Sequence, residues 1–550
     1  MRARLIVAAV FATFAVPLNP ALAQSIDAIA GQVSSAREGA MEGVVISAKK
    51  TGSIVTVSVV SDDKGRYHFP ANRLEPGAYT LTIRAVGYDL DGKATAQVAP
   101  DKPATLDLKL KPTRNLPAQL SNAEWLASFP GTDRQKKALL NCISCHDLDR
   151  IARSTHDADE FVQVFDRMTG YYPGSTPEYP QRLIGSARRS LGQGPGMRAI
   201  AEYLASVNLS KDETWSYPLK TIARPKGRAT HVIITEYDLP RKQIQPHDVI
   251  LDAHGQVWFT HFGEQFLGRF DPKTLKVSEY PLPVIKPGFP IGTLDLEMEK
   301  SGKLWISMMY QAGVARFDPQ TEKFETWAVP KEWQTDATQQ AFVTPVSSDA
   351  DGKVWVKNSD RAQILRLDPA TGKWENFGSF TDPVTNKRIT SYGIPADHEN
   401  NLYLLDFSSS NIGRLDAKTL KLSVFKGEIA NSRPRRGRFD EHGHLWFAEY
   451  GGNALGVLDP KSGKVQEWQL PIAWEEPYDV VTDKNGEAWT GSMLSDRVSR
   501  LDPKTGAFVE YLLPRRTNIR RVFVDDSTTP VSFWVGNNHG AALVKVEPLD

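Results

Sequence analysis

Apolar and polar positions alternate along residues 25–112, change to helical spacing between 122 and 208, and alternate again from 229 to the end. Alternation puts successive side chains on opposite faces of a strand, whereas i, i+3, i+4 spacing gathers them on one helical face. In the first stretch 43–47, 55–59, 79–84 and 105–110 read as strands, punctuated by Asp62-Asp63-Lys64-Gly65 and Glu75-Pro76-Gly77. Short strands at this spacing predict a β-sandwich. After a Pro- and Asn-punctuated linker, 133–143 carries Leu139, Leu140 and Ile143 on one side. A second helix, opened by Asp157 and Asp159, places Phe161, Val164, Phe165 and Met168 at i, i+3, i+4 and i+7. A third, over 198–207, has Ile200, Leu204 and Val207 as its stripe.

The last part of the chain is a repeat array. Trp258, Trp305, Trp355, Tyr403, Trp446, Trp489 and Trp534 recur at intervals of roughly 43–50 residues, the period of a β-propeller blade. Each unit reads as an inner strand, an Asp-x-x-Gly turn, the aromatic strand, a strand ending in Asp-Pro and an outer strand. Seven anchors predict seven blades. The final unit stops at its third strand, while 232–240 is an outer-strand sequence without a blade; pairing the two would close the ring and remove open edges.

The expected architecture is therefore mainly β and multidomain: an N-terminal β-sandwich (25–112), a small α-helical domain (122–208) and a C-terminal seven-bladed β-propeller (229–550). Ahead of them, Arg2 and Arg4, an apolar run over 5–16 and Ala21-Leu22-Ala23 have the form of a cleaved signal peptide over 1–23, so a soluble periplasmic chain is expected, with no transmembrane segment after processing. The balance of 66 Lys and Arg against 65 Asp and Glu argues against a nucleic-acid partner.

Only two cysteines are present in 550 residues, and they stand in Cys142-Ile143-Ser144-Cys145-His146. C-x-x-C-H is the spacing of a c-type haem attachment site, where both thiols add to the haem vinyl groups and the imidazole ligates iron. A redox-active C-x-x-C would be expected beside a βαβ pattern, and zinc would need two further ligands nearby. Covalent haem c on Cys142, Cys145 and His146 is the expectation, and the three helices around the motif resemble a compact cytochrome c domain. For the sixth iron ligand Met168 ranks ahead of Met197, with His156 third, because Met197 stands only six residues before Tyr203.

Asp63-Lys64-Gly65-Arg66-Tyr67-His68-Phe69, with Leu74-Glu75-Pro76-Gly77 and Gly87-Tyr88, resembles the carboxypeptidase regulatory-like domain, which implies a non-catalytic module. Gln245-Pro246-His247-Asp248 and Trp446-Phe447-Ala448-Glu449-Tyr450-Gly451-Gly452-Asn453 resemble the streptogramin (virginiamycin B) lyase family. That resemblance implies elimination by a Glu-x-His pair and a Glu three residues past the Trp, holding magnesium and a general base. Here the set is scattered: His247 and His261 stand on one blade, whereas Glu449 shares its blade with Arg433 and Arg435 in place of the Glu-x-His. His247, Glu449 and His261 are the catalytic candidates under a lyase reading, and Arg433, Arg435, Tyr392, Asp406 and Tyr478 the candidates for a channel ligand, with His539 and Arg520 on the same mouth. An anionic small molecule suits the arginines.

Three functions follow. The first is an exported c-type cytochrome that transfers electrons to or from a periplasmic partner such as a dehydrogenase or another cytochrome, with the propeller binding a substrate or partner. The second is a propeller-borne lyase or other enzyme, magnesium-dependent if a lyase, with accessory haem. The third is a non-enzymatic docking protein.

Overall fold

The computed structural model describes residues 27–100, 102–185, 195–210, 214–338 and 352–550; the expected signal peptide lies outside them. The N-terminal region is a β-sandwich-like pair of sheets. One contains Gly39–Ala40, Asp27–Ser35, Leu108–Pro112 and Tyr88–Leu90, with Arg66–Pro70 and Ala104–Thr105 also on the long first strand. The other contains Val55–Val60, Val45–Lys50, Gly77–Arg84 and Ala94–Val98. Alternate residues meet between them, with Ile29, Val33, Ile46, Tyr67, Phe69 and Leu81 in one apolar core.

The C-terminal region is propeller-like. Six sheets of three or four described strands follow one another, with a seventh group of strands, Val522–Asp525, Ser532–Asn537 and Ala542–Pro548, in a larger sheet after them, and the first repeat, Pro246–Leu251, Val257–His261, Phe266–Asp271 and Lys276–Pro281, is an antiparallel meander. The repeated Asp and Trp have a shared physical purpose. The turn carboxylate accepts the indole N–H of the strand it precedes: Asp252 from Trp258 at 2.9 Å, Asp440 from Trp446 at 3.1 Å and Asp483 from Trp489 at 2.9 Å. Glu299 serves Trp305 at 2.9 Å, and Asp397 accepts from the Tyr403 hydroxyl at 3.3 Å. Asp483 also accepts from the backbone N–H groups of Asn485 and Glu487, closing its turn. Replacing Asp483 by Ala should therefore destabilise the chain by about 1–3 kcal/mol in urea unfolding, because a buried indole N–H loses its acceptor. An unchanged midpoint would count against this role.

Strand Val232–Asp238 pairs antiparallel with Ala542–Pro548, from Val232 opposite Pro548 to Asp238 opposite Ala542. The ring closes as the sequence predicts. Its other edge pairs with Val55–Val60 of the sandwich, Ile233 opposite Val59 and Tyr237 opposite Val55, so one eight-stranded sheet runs through both regions. The period of two divides this strand between two cores: Ile233 packs into the sandwich, Val232 and Ile234 into the last sheet of the ring.

Five short helices connect the two regions among the described residues: α1 (Asn122–Ser128), α2 (Asp133–Lys137), α3 (Asp149–Ala152), α4 (Ala158–Met168) and α5 (Pro195–Val207). Capping boxes start three of them, Ser121 with Glu124, Thr132 with Gln135 and Asp157 with Glu160. The expected helix over 133–143 is α-helical only to Lys137 and tightens to 3-10 over Ala138–Ser144, with Leu139, Leu140 and Ile143 buried as expected. Of the α4 stripe only Phe161 is buried, and Met168 is exposed. These helices do not form a clear cytochrome domain with a closed core of their own. Their apolar cluster runs on into Tyr450, Tyr478, Met493 and Leu494 of the propeller. No helix among the described residues is long and apolar enough to cross a membrane.

Candidate functional site

The Cys-x-x-Cys-His segment lies on the mouth of the propeller. Asn518 Nδ2 donates to the Ile143 carbonyl at 3.2 Å, and Arg520 Nη2 donates to the Ser144 carbonyl at 3.3 Å. His539 Nε2 reaches the same Ser144 oxygen at 3.3 Å. Arg516 pairs with Asp149 at 2.9 Å, and Lys137 donates to the Gly451 carbonyl at 3.1 Å. On the far side of the mouth Tyr172, fully buried, donates to the Phe262 carbonyl at 2.9 Å, and Gln181 reaches the carbonyls of Gly263 and Ile291. The segment 169–185 after α4 thus plugs into the first two repeats, a contact that no spacing rule announces.

Both cysteines are free thiols. Burial, with Cys145 alongside, pushes the Cys142 thiol up to about 12, and burial also raises Cys145. A redox-active Cys-x-x-Cys pair needs a lowered thiol pKa, and burial moves these two thiols the other way. Cys145 Sγ lies 3.6 Å from the Pro173 carbonyl. His146 Nδ1 is 3.0 Å from the Asp147 carbonyl, which can only accept, so Nδ1 carries the proton and Nε2 keeps its lone pair. Burial lowers the His146 pKa, which also favours the neutral ring. Two thiols not joined to each other and an imidazole with its coordinating nitrogen set free by a backbone hydrogen bond fit a covalently held haem, and Cys142 packs against the same apolar cluster as the half-buried Val162, Phe165 and Ile200. Of the sixth-ligand candidates, Met168 is exposed at the end of α4, Met197 is half-buried in the first turn of α5, and His156 lies 3.5 Å from Glu160 and edge-on to Phe161.

Below the motif the arginines fall into two layers. In the lower one Arg436 pairs with Asp248 at 3.1 Å and with Asp295, Arg521 with Asp248 at 3.1 Å and Glu297 at 2.5 Å, and Arg438 with Asp479 at 2.9 Å. In the upper one Arg435 lies with its guanidinium carbon 4.0 Å from the Tyr478 ring centre, 4.4 Å from Tyr450 and 4.5 Å from Tyr392. Arg433 stacks 4.1 Å over Phe407 and donates to its carbonyl at 3.1 Å. The register shift between Pro434 and Gly437 separates the layers, so the four arginines at 433–438 are not one cluster; Arg435, Arg436 and Arg438 lie on the strand Pro434–Phe439, and Arg433 just precedes it.

A hydrogen-bonded chain links the layers. Tyr392 and Tyr478 share a hydroxyl contact of 2.5 Å, Tyr478 is 3.2 Å from His247 Nε2, and His247 Nδ1 is 2.7 Å from Asp248. Burial lowers the His247 pKa to about 3, so the ring is neutral; Nδ1–H donates to Asp248, and Nε2 accepts from Tyr478. The Tyr478 hydroxyl then accepts from Tyr392, which accepts from Arg435 at 3.3 Å. Sequence reasoning singled out these residues separately; their order along one chain needed the fold. It also missed Lys357, buried beside Tyr392, which donates to the Ser391 carbonyl and is brought down to about 7 by burial.

The other candidates are placed elsewhere. Asp406 accepts from the Thr390 and Ser408 N–H groups and from the Ser408 and Ser409 hydroxyls, so its carboxylate is used in a turn. His261 faces Glu264 at 2.7 Å, and Glu264 joins Arg241 at 2.7 Å. Glu449 is buried beside Glu467, and burial raises its carboxyl well above the usual range.

Residues 379–548 match the virginiamycin B lyase family. Residues 28–111 match the carboxypeptidase regulatory-like domain. No curated protein matches the chain in sequence. Among solved structures, virginiamycin B lyase from Staphylococcus aureus is similar at 19% identity, covering 57% of this chain and 98% of that one with a TM-score of 0.48. A streptogramin B lyase structure is similar at 19% identity, covering 57% and 97% with a TM-score of 0.49. The family match over residues 379–548 falls within the propeller-like sheets of the C-terminal region. The magnesium set does not fit: guanidinium groups of Arg433 and Arg435 stand where the resemblance puts ligands, and two fixed cations repel a third.

Glu476, near Arg433 and Arg435, is raised by burial to about 8, against an ordinary 4.5, although those arginines and Lys137 pull it down. A raised carboxyl pKa means that its contribution to stability is whole below pH 4.5 and is lost as pH rises through about 8. Glu476→Gln should remove that loss, flattening the decline by up to about 1.4 kcal/mol per pH unit in this window. Parallel wild-type and variant stability curves would contradict the shift.

Proposed function

We propose that this chain is an exported, periplasmic haem c protein that exchanges electrons with a periplasmic redox partner, and that its propeller is the binding module at whose mouth the haem site stands. The observation that carries the reading is the seating of the attachment motif: free thiols, an imidazole oriented by the Asp147 carbonyl, and a Ser144 carbonyl held by Arg520 and His539. A haem bound there would supply a one-electron couple. The chain's own part is to hold the imidazole with Nε2 free, to bury the thiols, and to present cationic and phenolic side chains next to them. Met168 is the proposed sixth ligand, with Met197 second; its exposure leaves it free to turn toward the iron. The domain limits 25–112, 122–208 and 229–550 belong to the same reading.

The test is a reduced-minus-oxidised spectrum of the chain exported from cells competent in haem attachment. A Soret band that survives acid-acetone extraction is expected, and its absence would overturn the reading. Loss of a low-spin spectrum in Met168→Ala but not Met197→Ala would assign the sixth ligand. A lyase reading is the weaker one, because His247 is spent on Asp248 and Tyr478, and Glu449 on a buried carboxyl pair.

A further inference from the structure

We infer that the upper layer of the mouth is a carboxylate-binding site, with Arg435 and Arg520 as its two cationic anchors and the Arg433 guanidinium at its rim. Arg435 and Arg520 are 8% and 2% exposed, and among the described residues neither they nor Arg433 has a carboxylate within 4.0 Å. The neighbouring lower layer shows what this chain does when it means to neutralise an arginine internally: Arg436, Arg438 and Arg521 each meet an aspartate or glutamate. A buried guanidinium left without a counter-charge is strongly unfavourable unless an anion arrives to pair with it.

The hydrogen-bond inventory points the same way. A guanidinium has five N–H donors. Arg435 gives one to the Tyr392 hydroxyl at 3.3 Å and one to the Met493 sulfur at 3.3 Å, both weak acceptors for a full charge. Arg520 gives one to the Ser144 carbonyl. The Nε of each is buried without a partner. Glu476, whose carboxyl feels Arg433 and Arg435, is pushed up by burial and has its own Oε2 unpartnered, so it does not act as their counter-charge. Tyr478 lies between the two anchors, 4.0 Å from Arg435 and 5.5 Å from Arg520. Planar, two-oxygen recognition by paired guanidiniums selects a carboxylate over a spherical anion.

Two sources could deliver that group, a free small carboxylate or a propionate of a haem on Cys142 and Cys145. The inference rests on the proposed function only in naming the second source. Benzoate is the probe, titrated calorimetrically at low salt into the full exported chain, prepared with and without haem attachment. The haem-free chain should bind benzoate, and Arg435→Met and Arg520→Met should each weaken it by roughly tenfold or more, with a smaller effect for Arg433→Met. Arg435→Lys, which keeps the charge, guards against a variant that merely misfolds and should recover part of the affinity. Equal binding by the haem-loaded chain identifies a free ligand. Binding lost on loading, together with a lowered midpoint potential in loaded Arg435→Met, identifies a propionate. A chain that never takes haem yet binds benzoate through these arginines would overturn the proposed function and leave this inference standing. No benzoate binding by the haem-free chain, or binding indifferent to all three arginines, would overturn the inference.

Discussion

Changing Cys142 and Cys145 together to Ala should abolish the proposed covalent haem attachment, and each single change should lower the yield of attached haem severely. Each thiol is expected to form one thioether, and both stand in the same 3-10 turn with Ile143 buried between them, so neither can replace the other. The small side chains remain compatible with the apolar cluster around them, and unfolding of the haem-free variants should match the haem-free parent within about 1 kcal/mol, the range of small core changes without a large cavity. The readout is a denaturing gel stained for haem beside a urea curve. Haem that remains attached to the double variant would locate attachment elsewhere, which a chain with only two cysteines cannot offer by thioether.

The second large effect is on stability. Asp248 is fully buried and holds together the lower layer: it meets Arg436 and Arg521, each at 3.1 Å, accepts from His247 at 2.7 Å, and accepts the Leu296 N–H at 3.0 Å. Despite burial, these cations hold its carboxyl below the usual carboxylate range. Asp248→Ala leaves two buried guanidiniums short of a counter-charge and a neutral histidine short of an acceptor, and should cost about 3–5 kcal/mol. Asp248→Asn keeps hydrogen-bonding atoms but not charge and should fall between. Chemical unfolding of the two variants checks this; a loss below about 1 kcal/mol for Asp248→Ala would mean that water or Asp295 takes over the pairing.

What the sequence made legible follows the physics that leaves a periodic mark. Alternation and the recurring aromatic exposed the sheets, and 232–240 was readable as a closing strand because it had an outer-strand pattern without a blade. That its far edge meets the Val55–Val60 strand of the sandwich was not readable, since a strand's edge bonds through backbone groups that every residue shares. Leu139, Leu140 and Ile143 were correctly buried, but their spacing suits a 3-10 segment as well as an α-helix. In the site, residue type identified the channel and could not divide it. Four arginines within six positions look alike until the register shift at Pro434 sends Arg436 and Arg438 toward acids and leaves Arg435 among tyrosines. Asp406 had the chemistry of a channel ligand, but the serines that follow it supply the hydroxyls that bind it into a turn. The cytochrome-like expectation for 122–208 rested on the attachment motif and three helical stripes, whereas the helices are too short to close a core without the propeller.

The central claim is that Cys142, Cys145 and His146 carry a haem at the propeller mouth. Its most direct test is the intact mass of the full chain exported from cells competent in haem attachment, measured under denaturing conditions. The account predicts the processed polypeptide plus one haem; the mass of the polypeptide alone would contradict it.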